Sequence, residues 1–479
     1  MRTYEELSGG EGRRVFFRAE RYKARDLFRR TLPDLHIDDA PHRLADVSLS
    51  GLAAYATPNT ADSLHPDQRV SLRLLLDGYT LFDGEGEVVR TESTPFGTKF
   101  GLRLVNRSFN VSEVLARYKE ISLKNEIERF ADIEPGGGVS AQYRTLCADT
   151  LHFLRSYRTG LDEIAQAHLD EKAAAELLTS CEDRIIPQWR ELWHRGNELA
   201  EELITGDPQA LKAAKRFTEL VLTPEFNAGA IWRRSYEKPL GYPGDYQIMN
   251  MVYDWQREGQ NLYEKLVHRL GLDVAECIAT RMVVMRQTIA ETVLKTRNSP
   301  VRITSLGCGP AREVIDYLEI RDLPQHTHFT LIDQDHGALS QAYERTHPEI
   351  IRLHGKASVT CLHASFNQIF KTNELMAKLG PQDLIYSVGL IDYLQAKRGK
   401  AWVESLYSCV APGGKLVISN MYRTPGSNLW PMEFLADWTV IYRDEKEMLA
   451  FAADLPDAVA ETRLDPTGRV CMLTVHRKG

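Results

Sequence analysis

One stretch near residue 300 constrains the fold of this chain more than any other. A β-branched run, Val301–Leu306, meets a turn that contains Gly307 and Gly309, and an apolar-periodic segment follows from Val314. This pattern predicts a strand, a tight turn and a helix. Glycine lets a backbone approach a ligand closely, and a helix N-terminus directs its N–H groups at that ligand. The turn is therefore a candidate binding loop, although Gly-x-Gly also occurs in ordinary strand–helix turns.

A repeating pattern of strands and helices follows the loop. Phe329–Asp333 is predicted to be a second strand ending in a carboxylate, where a doubly wound domain places an acid for a ribose diol. Further strands are predicted at 359–364, 383–393, 416–420 and 470–475, with helical patterns at 338–343 and 402–409. Strands that alternate with helices predict an α/β doubly wound, Rossmann-like domain over 299–479.

The order of these elements resembles that of a class I S-adenosylmethionine-dependent methyltransferase. Four pieces match in order: the glycine loop, the acid after the second strand, the turn after the fourth strand and the Ala-Pro-Gly-Gly turn at 411–414. The resemblance implies that the glycine loop lines the methionine end of the cofactor, that the acid binds its ribose, and that the residues after the third strand flank its adenine. The cofactor-binding residues it implies are Gly307, Cys308, Gly309, Asp333, Ala364, Ser365 and Ser387.

Two positions in the loop depart from the family pattern. Ser305 stands where an acid is usual, and Ala311 stands where a third glycine is common. They indicate either weakened cofactor binding or a subfamily. An NAD-type dinucleotide domain is the rival interpretation; it expects the third glycine and gains no support from the Ala-Pro-Gly-Gly turn.

Three stretches resemble a narrower group of bacterial proteins, the extracellular-factor 3-hydroxypalmitic acid methyl ester biosynthesis methyltransferases. They are Gly241–Asp245, Asp383–Tyr393 and Asp437–Arg443, and the resemblance covers roughly 230–479. It implies carboxyl methylation of a hydroxy fatty acid or a related acid.

The candidate catalytic residues fall in the same stretches. A carboxylate acceptor is already ionised and needs a cation or hydroxyls to hold it, whereas an alcohol acceptor needs a base. Arg443 with Tyr442, and Lys238 with Tyr242, are candidates to hold a carboxylate. The set of catalytic candidates is Asp392, Tyr393, Tyr242, Asp245 and Arg443, with Asp392 or Asp245 as the base. The structural alternatives are a helix cap at Asp392, an aromatic core stripe at 437–443 and a rigid helix–helix turn at 236–246.

The first part of the chain, 13–110, predicts a small antiparallel barrel. Short strand patterns are separated by glycine-containing turns, and they fall at 44–55, 70–76, 86–91 and 100–105. The segment resembles a PilZ domain, whose motifs are Arg-x-x-x-Arg and Asp/Asn-x-Ser-x-x-Gly. The resemblance implies cyclic di-GMP binding through Arg14, Arg18, Asp46, Ser48 and Gly51.

The arginine motif of this segment has two interpretations. Arg14 and Arg18 fit best, but Arg21 and Arg25 have the same spacing. Guanidinium forks can hold phosphates and stack on guanine. A PilZ-like barrel that has lost its ligand is the alternative.

The middle of the chain, 111–298, predicts long amphipathic helices that act as a linker, lid or dimerisation surface. The whole chain has 479 residues, a net charge of −7 and a pI near 6.1, which argues against sequence-independent nucleic-acid binding. No apolar run reaches the length of a membrane span, and the N-terminus is polar. Seven scattered cysteines contain no Cys-x-x-Cys pair. We expect a cytoplasmic protein without a metal site.

Together these patterns predict a multidomain enzyme. An N-terminal barrel senses cyclic di-GMP, helices transmit the signal or dimerise, and a C-terminal domain methylates a small or lipid-like acid with S-adenosylmethionine. The alternative is a non-catalytic signalling adaptor with a vestigial cofactor pocket.

Overall fold

The computed structural model describes residues 21–28, 31–56, 64–94, 97–131, 137–166, 170–297, 299–320, 323–364, 368–369 and 379–479. The chain divides into two compact units, 1–135 and 136–479. In these ranges no helix combines the length and the apolar character needed to cross a membrane.

The first unit is an antiparallel barrel. Its elements are β1 (Arg21–Lys23), α1 (Ala24–Leu27), β2 (Asp34–Ile37), β3 (Ala40–Ser48), β4 (Gly51–Tyr55), β5 (Arg69–Leu76), β6 (Tyr79–Thr94), β7 (Gly97–Leu104) and α2 (Val111–Ala131). The strand order β3-β2-β5-β6-β7-β4 closes because β3 also pairs with β4. Alternate side chains of each strand point into the barrel. In β5 the buried residues are Val70, Leu72, Leu74 and Leu76, and the residues between them are not buried.

Helix α2 packs on this barrel. The ring of Tyr118 lies 5.1 Å from that of Phe28, edge to face, and its hydroxyl accepts a hydrogen bond from the Thr31 N–H at 3.0 Å. Val114 and Ile121 of α2 join the barrel core. The predicted small barrel is confirmed.

The second unit begins with helices. They are α3 (Ala141–Gln166), α4 (Glu171–Thr205), α5 (Pro208–Val221), α6 (Thr223–Phe226), α7 (Ala230–Glu237), α8 (Tyr246–Asp254) and α9 (Leu262–Lys295). An aromatic cluster ties them to the later chain: the Trp189 ring of α4 lies 6.2 Å from that of Trp430. Trp193 and Asn197 both donate hydrogen bonds to the Ser427 carbonyl. The region predicted as one helical segment, 111–298, is thus divided, with α2 in the first unit and α3–α9 in the core of the second.

A mixed sheet forms the rest of this unit. Its elements are β8 (Val301–Leu306), α10 (Arg312–Leu318), β9 (Thr327–Asp333), α11 (His336–Arg352), β10 (Ala357–His363), β11 (Gln382–Val388), α12 (Ala396–Ser408), β12 (Val410–Met421), α13 (Glu445–Ala450), β13 (Ala458–Leu464) and β14 (Val470–Arg477). The order is β10-β9-β8-β11-β12-β14-β13. The first five strands are parallel, and β14 runs antiparallel to both its neighbours.

The predicted α/β fold class is confirmed. β11 is buried from Gln382 to Ser387, as expected of a central strand covered on both faces. The sheet separates two apolar clusters, one shared with α3–α9 and one with α12 and α13. Two details differ from the prediction. β12 starts at Val410 and includes the predicted turn at 411–414, and the polar edge strand β13 was not foreseen.

Candidate functional site

A cavity of about 110 Å³ opens where β8, β9 and β11 end. In an open parallel sheet, ligands bind at the carboxyl ends of the strands, at the point where the strand order reverses. In this sheet that point lies between β8 and β11. The long helix α9, the segment between α7 and α8, and the chain after β12 form the other walls. The lining residues are Tyr242, Gly244, Tyr246, Met249, Ile278, Arg281, Gly307, Gly309, Asp333, Ala338, Val388, Gly389, Leu390, Asp392, Tyr393, Met421, Met432, Trp438 and Val440.

The glycine loop and the acid after β9 meet in this cavity. Gly307 and Gly309 both have left-handed backbones, with φ of 66° and 52°. A Cβ on Gly307 would lie 2.9 Å from the Leu390 side chain. The Gly309 N–H donates to Oδ2 of Asp333 at 2.8 Å, so the acid holds the loop. These three residues are brought together as the sequence predicted.

Asp333 is buried but well supplied with donors. Its Oδ1 accepts from the Asp335 N–H at 2.9 Å. Burial raises the pKa of Asp333, and the backbone hydrogen bonds from Asp335 and Gly309 oppose that rise. A carboxylate has about four lone-pair sites, so Asp333 retains acceptor capacity for a ligand hydroxyl.

The two departures from the family pattern have structural explanations. Ala311 has φ of 51°, the left-handed conformation that glycine adopts without strain. Ser305 is buried on β8 opposite Tyr386, whose hydroxyl donates to Glu313 at 2.7 Å. A buried carboxylate from α10 therefore lies near Ser305, and burial raises the pKa of Glu313.

Other predicted cofactor residues lie near the loop but not on the cavity wall. Ser387 donates its hydroxyl to the Leu306 carbonyl at 2.9 Å, which joins β11 to β8. The Ala364 N–H donates to the Asp333 carbonyl at 2.9 Å. Cys308 is buried within the loop, and burial raises the pKa of its thiol. Ser365 lies outside the described residues.

Three predicted catalytic residues do line the cavity. Asp392 is buried, and its Oδ1 accepts from the Met421 N–H at 2.7 Å. Burial raises the pKa of Asp392, opposed by the Met421 hydrogen bond and the Arg281 charge. The Tyr393 hydroxyl accepts from Nε1 of Trp438 at 2.8 Å. The Tyr242 hydroxyl donates to Oδ2 of Asp335 at 3.0 Å.

Two predicted catalytic residues have structural roles instead. Asp245 caps α8 by accepting from the N–H groups of Gln247 and Ile248, and it pairs with Arg234 at 2.8 Å. The guanidinium of Arg443 is buried and donates to the carbonyls of Ile391 and Leu394 and to the Asn420 side chain. Neither side chain lines the cavity, so their predicted roles at the acceptor are not supported by their positions.

Lys238, predicted to act with Tyr242, and Tyr442, predicted to act with Arg443, are also engaged elsewhere. Lys238 forms an ion pair with Asp437, and the Tyr442 hydroxyl contacts the Met432 sulfur at 3.8 Å. The prediction missed the cation that does line the cavity, Arg281 of α9. Its signal was a single charge within the apolar run 277–285.

The second predicted site lies on the barrel. Asp46 forms ion pairs with Arg21 and, at 3.0 Å, with Lys99. The Ser48 hydroxyl donates to the Gly51 carbonyl at 3.0 Å, and a Cβ on Gly51 would lie 2.5 Å from the Leu102 oxygen. The close approach of β4 to β7 at this point therefore requires the glycine of the motif. Arg14 and Arg18 lie outside the described residues.

Residues 13–120 match the PilZ domain family. The N-terminal unit carries a PilZ domain. The match includes Asp46, Ser48 and Gly51 in the β3–β4 turn, and it leaves the arginine pair open, because Arg18 and Arg21 both fall within it. The chain has no significant match among curated proteins.

Solved structures resemble the chain at low identity. A possible exported protein from Bordetella parapertussis is 14% identical with a TM-score of 0.40, covering 66% of this chain and 99% of its own. Magnesium protoporphyrin IX methyltransferase from Synechocystis PCC 6803 with bound SAH is 13% identical with a TM-score of 0.35, covering 51% and 98%. The N-methyltransferase NodS from Bradyrhizobium japonicum is 15% identical with a TM-score of 0.29, covering 41% and 86%.

Proposed function

We propose that residues 136–479 form an S-adenosylmethionine-dependent methyltransferase. The observation that carries this proposal is the Gly309–Asp333 hydrogen bond, which fixes a glycine loop and a carboxylate at adjoining strand ends. The glycines of the loop allow a ligand to approach its backbone closely, the start of α10 offers N–H donors, and the carboxylate offers acceptors for a diol. This donor and acceptor set fits an adenosyl cofactor with a polar tail.

The residues around the loop suit alignment of an acceptor. When bound, S-adenosylmethionine supplies a methyl group that its sulfonium charge already activates, so alignment and exclusion of water are what the protein adds. Tyr242, Trp438 and Met432 cover the cavity. Burial raises the pKa of Tyr242 and of Tyr393, so both hydroxyls stay protonated and act as hydrogen-bond partners. Asp392, whose pKa burial raises, can take a proton from a hydroxyl acceptor.

The walls of the cavity favour an apolar acceptor. Ile278, Met432 and Trp438 also line an adjoining apolar space of about 40 Å³. Ile231, Ile248 and other aliphatic side chains extend this second space between α7, α8 and α9. The arrangement supports a lipid-like acid as acceptor, in agreement with the hydroxy fatty acid that the sequence resemblance implies.

Titration calorimetry with S-adenosylhomocysteine tests cofactor binding. We expect binding to the wild type and about 10- to 100-fold weaker binding to Asp333→Ala, because a charged acceptor of hydrogen bonds is lost. Glu319→Ala is the control, since it removes an exposed carboxylate just after α10. No heat at millimolar ligand would reject the proposal.

Transfer of a labelled methyl group into a bacterial lipid extract tests the activity. The enzyme should label an acid-derived ester in the extract and Asp333→Ala should not. A protein that binds the cofactor without turnover would instead be the non-catalytic adaptor.

We also propose that the PilZ domain binds cyclic di-GMP and regulates methyl transfer. The Asp46 carboxylate, with Arg21 and Lys99 beside it, supplies an acceptor and two cations for a guanine and phosphates. Calorimetry with Arg18→Ala and Arg21→Ala identifies the arginine pair: the variant that belongs to it loses binding and the other retains it. Equal, unchanged affinities in both variants would contradict the site.

A further inference from the structure

Arg281 is a buried cation that has no hydrogen-bond or ion-pair partner among the residues that the structure describes. It lies in the middle of α9 with 8% of its surface exposed. Its Nε has no hydrogen-bond partner, and no ion pair links its guanidinium to any residue within the described ranges. A buried charge without a partner is strongly unfavourable, so the position calls for a compensating group.

Two other buried arginines in this unit donate hydrogen bonds from their guanidinium groups to nearby acceptors. Arg443 is 3% exposed and donates to two carbonyls and an amide oxygen. Arg469 is 7% exposed and donates to the Asp273 and Val274 carbonyls and to Glu276. Arg281 differs from both because its guanidinium faces the cavity instead of packed backbone.

The space in front of Arg281 is kept open by a glycine. A Cβ on Gly389 would lie 3.2 Å from Nη2 and 3.4 Å from Nη1 of Arg281. Gly389 follows β11 directly and has φ of 118°. The backbone therefore brings the end of β11 close to the guanidinium without a side chain between them.

The nearby acids do not neutralise Arg281 by contact. Burial raises the pKa of Asp392 and of Glu313, and the positive charge of Arg281 opposes part of that rise in both. Oδ1 of Asp392 accepts from the Met421 N–H, and Oε1 of Glu313 accepts from the Tyr386 hydroxyl. The field of these acids stabilises the cation, and no acceptor in the described part of the chain occupies its donors.

The strand order indicates which ligand group reaches Arg281. Asp333 ends β9 and faces the proposed ribose position, and the glycine loop ends β8 beside it. Arg281 lies across the loop, next to the end of β11, where the opposite end of an adenosyl cofactor would extend. We propose that Arg281 is a specificity-determining residue that binds the carboxylate of the cofactor's amino-acid end.

The chemistry of the guanidinium suits this ligand. Its planar fork donates two parallel hydrogen bonds to a carboxylate, and the low dielectric of the cavity strengthens them. This inference rests on the proposed function, since it names the contact by which that site would select its cofactor. It also explains why the sequence holds a charge within the apolar run of α9.

Calorimetry with S-adenosylmethionine and decarboxylated S-adenosylmethionine tests the inference, because the two ligands differ only in the carboxylate. The wild type should bind S-adenosylmethionine about 10- to 100-fold more tightly than the decarboxylated form. Arg281→Met should bind both ligands equally, at the affinity of the wild type for the decarboxylated form. Arg281→Lys should retain part of the preference, since it keeps the charge and loses the fork.

Arg286→Met is the matched control, because Arg286 lies on the same helix, pairs with Asp316 at 3.5 Å and does not line the cavity. It should keep the full preference. A wild type that binds both ligands equally would overturn the inference without any variant, as would an Arg281→Met protein that still prefers the carboxylate. A wild type that binds neither ligand would instead reject the proposed methyltransferase function, and the inference with it.

Discussion

At the scale of single residues, Ala311 is the loop position at which an alanine stands where glycine is common. It occupies a left-handed conformation at the start of α10, where an L-residue carries a strain of about 1–2 kcal/mol. Ala311→Gly should relieve that strain and raise the free energy of unfolding by roughly 1 kcal/mol, less the entropy that glycine adds to the unfolded chain. Urea unfolding followed by tryptophan fluorescence measures this, since all seven tryptophans lie in 136–479.

The control for this substitution is Ala175→Gly. Ala175 is an exposed residue inside α4, where the same change lowers stability by about 1 kcal/mol. Opposite signs for the two variants are expected. A loss of stability in both would show that Ala311 is not strained.

His268 predicts how stability changes with pH. It is fully buried in α9 and accepts a hydrogen bond from the Ile231 N–H at 3.2 Å. Burial lowers its pKa from 6.5 to about 4. As the pH falls between these values the unfolded chain binds a proton that the folded chain does not, so up to ~3 kcal/mol of stability is lost. Between pH 7 and pH 4.5 the urea midpoint should fall further for the wild type than for His268→Gln. An equal fall in both proteins would contradict the role given to His268.

At the scale of elements, the segment between α7 and α8 forms one wall of the cavity. Lys238 ends α7 in a left-handed conformation and pairs with Asp437, while Asp245 caps α8. Gly244 packs against the Trp438 ring, which a Cβ would approach to 2.4 Å. The segment is therefore held to the chain after β12 by an ion pair and an aromatic contact.

Gly244→Ala should displace Trp438 and weaken binding of S-adenosylhomocysteine about tenfold, with a loss of 1–3 kcal/mol of stability from overpacking, as a rough estimate. Gly241→Ala is the control, because Gly241 has a similar positive φ and nothing within 4 Å of its added Cβ. Gly241→Ala therefore introduces the same backbone strain as Gly244→Ala but no clash with a side chain. Equal effects of the two substitutions would show that the Trp438 contact does not shape the site.

The sequence predicted the position of those site residues that directly follow a strand. The glycine loop and Asp333 are each set by a strand end, so their meeting followed from parallel pairing alone. The partners of Arg443 and Asp245 could not be predicted, because Ile391 and Arg234 come close to them only in the folded unit. Arg281 was missed because a helix pattern does not say which cavity a buried charge faces. Such choices depend on packing across the whole unit.

At the scale of the whole molecule, a PilZ domain and an α/β unit share one chain. Cyclic di-GMP should change the rate of labelled methyl transfer by the full-length protein. Asp46→Ala should keep the basal rate and lose the response, because Asp46 belongs to the barrel and not to the cavity of the second unit. Asp34→Ala, an exposed acid on β2, is the control and should respond as the wild type does. A response that survives Asp46→Ala would place the effector elsewhere.

The length of α9 has a consequence for how this protein can evolve. The helix is 34 residues long, about 51 Å, and one of its inner turns presents Arg281 to the cavity. Two turns earlier Asp273 pairs with Arg190 of α4 at 2.7 Å, which sets the rotation of the helix about its own axis. Turning the helix by one residue would swing the guanidinium through about 100° and out of reach of its ligand. Selection for a different methyl donor should therefore yield substitutions along the α4–α9 seam as readily as in the cavity itself.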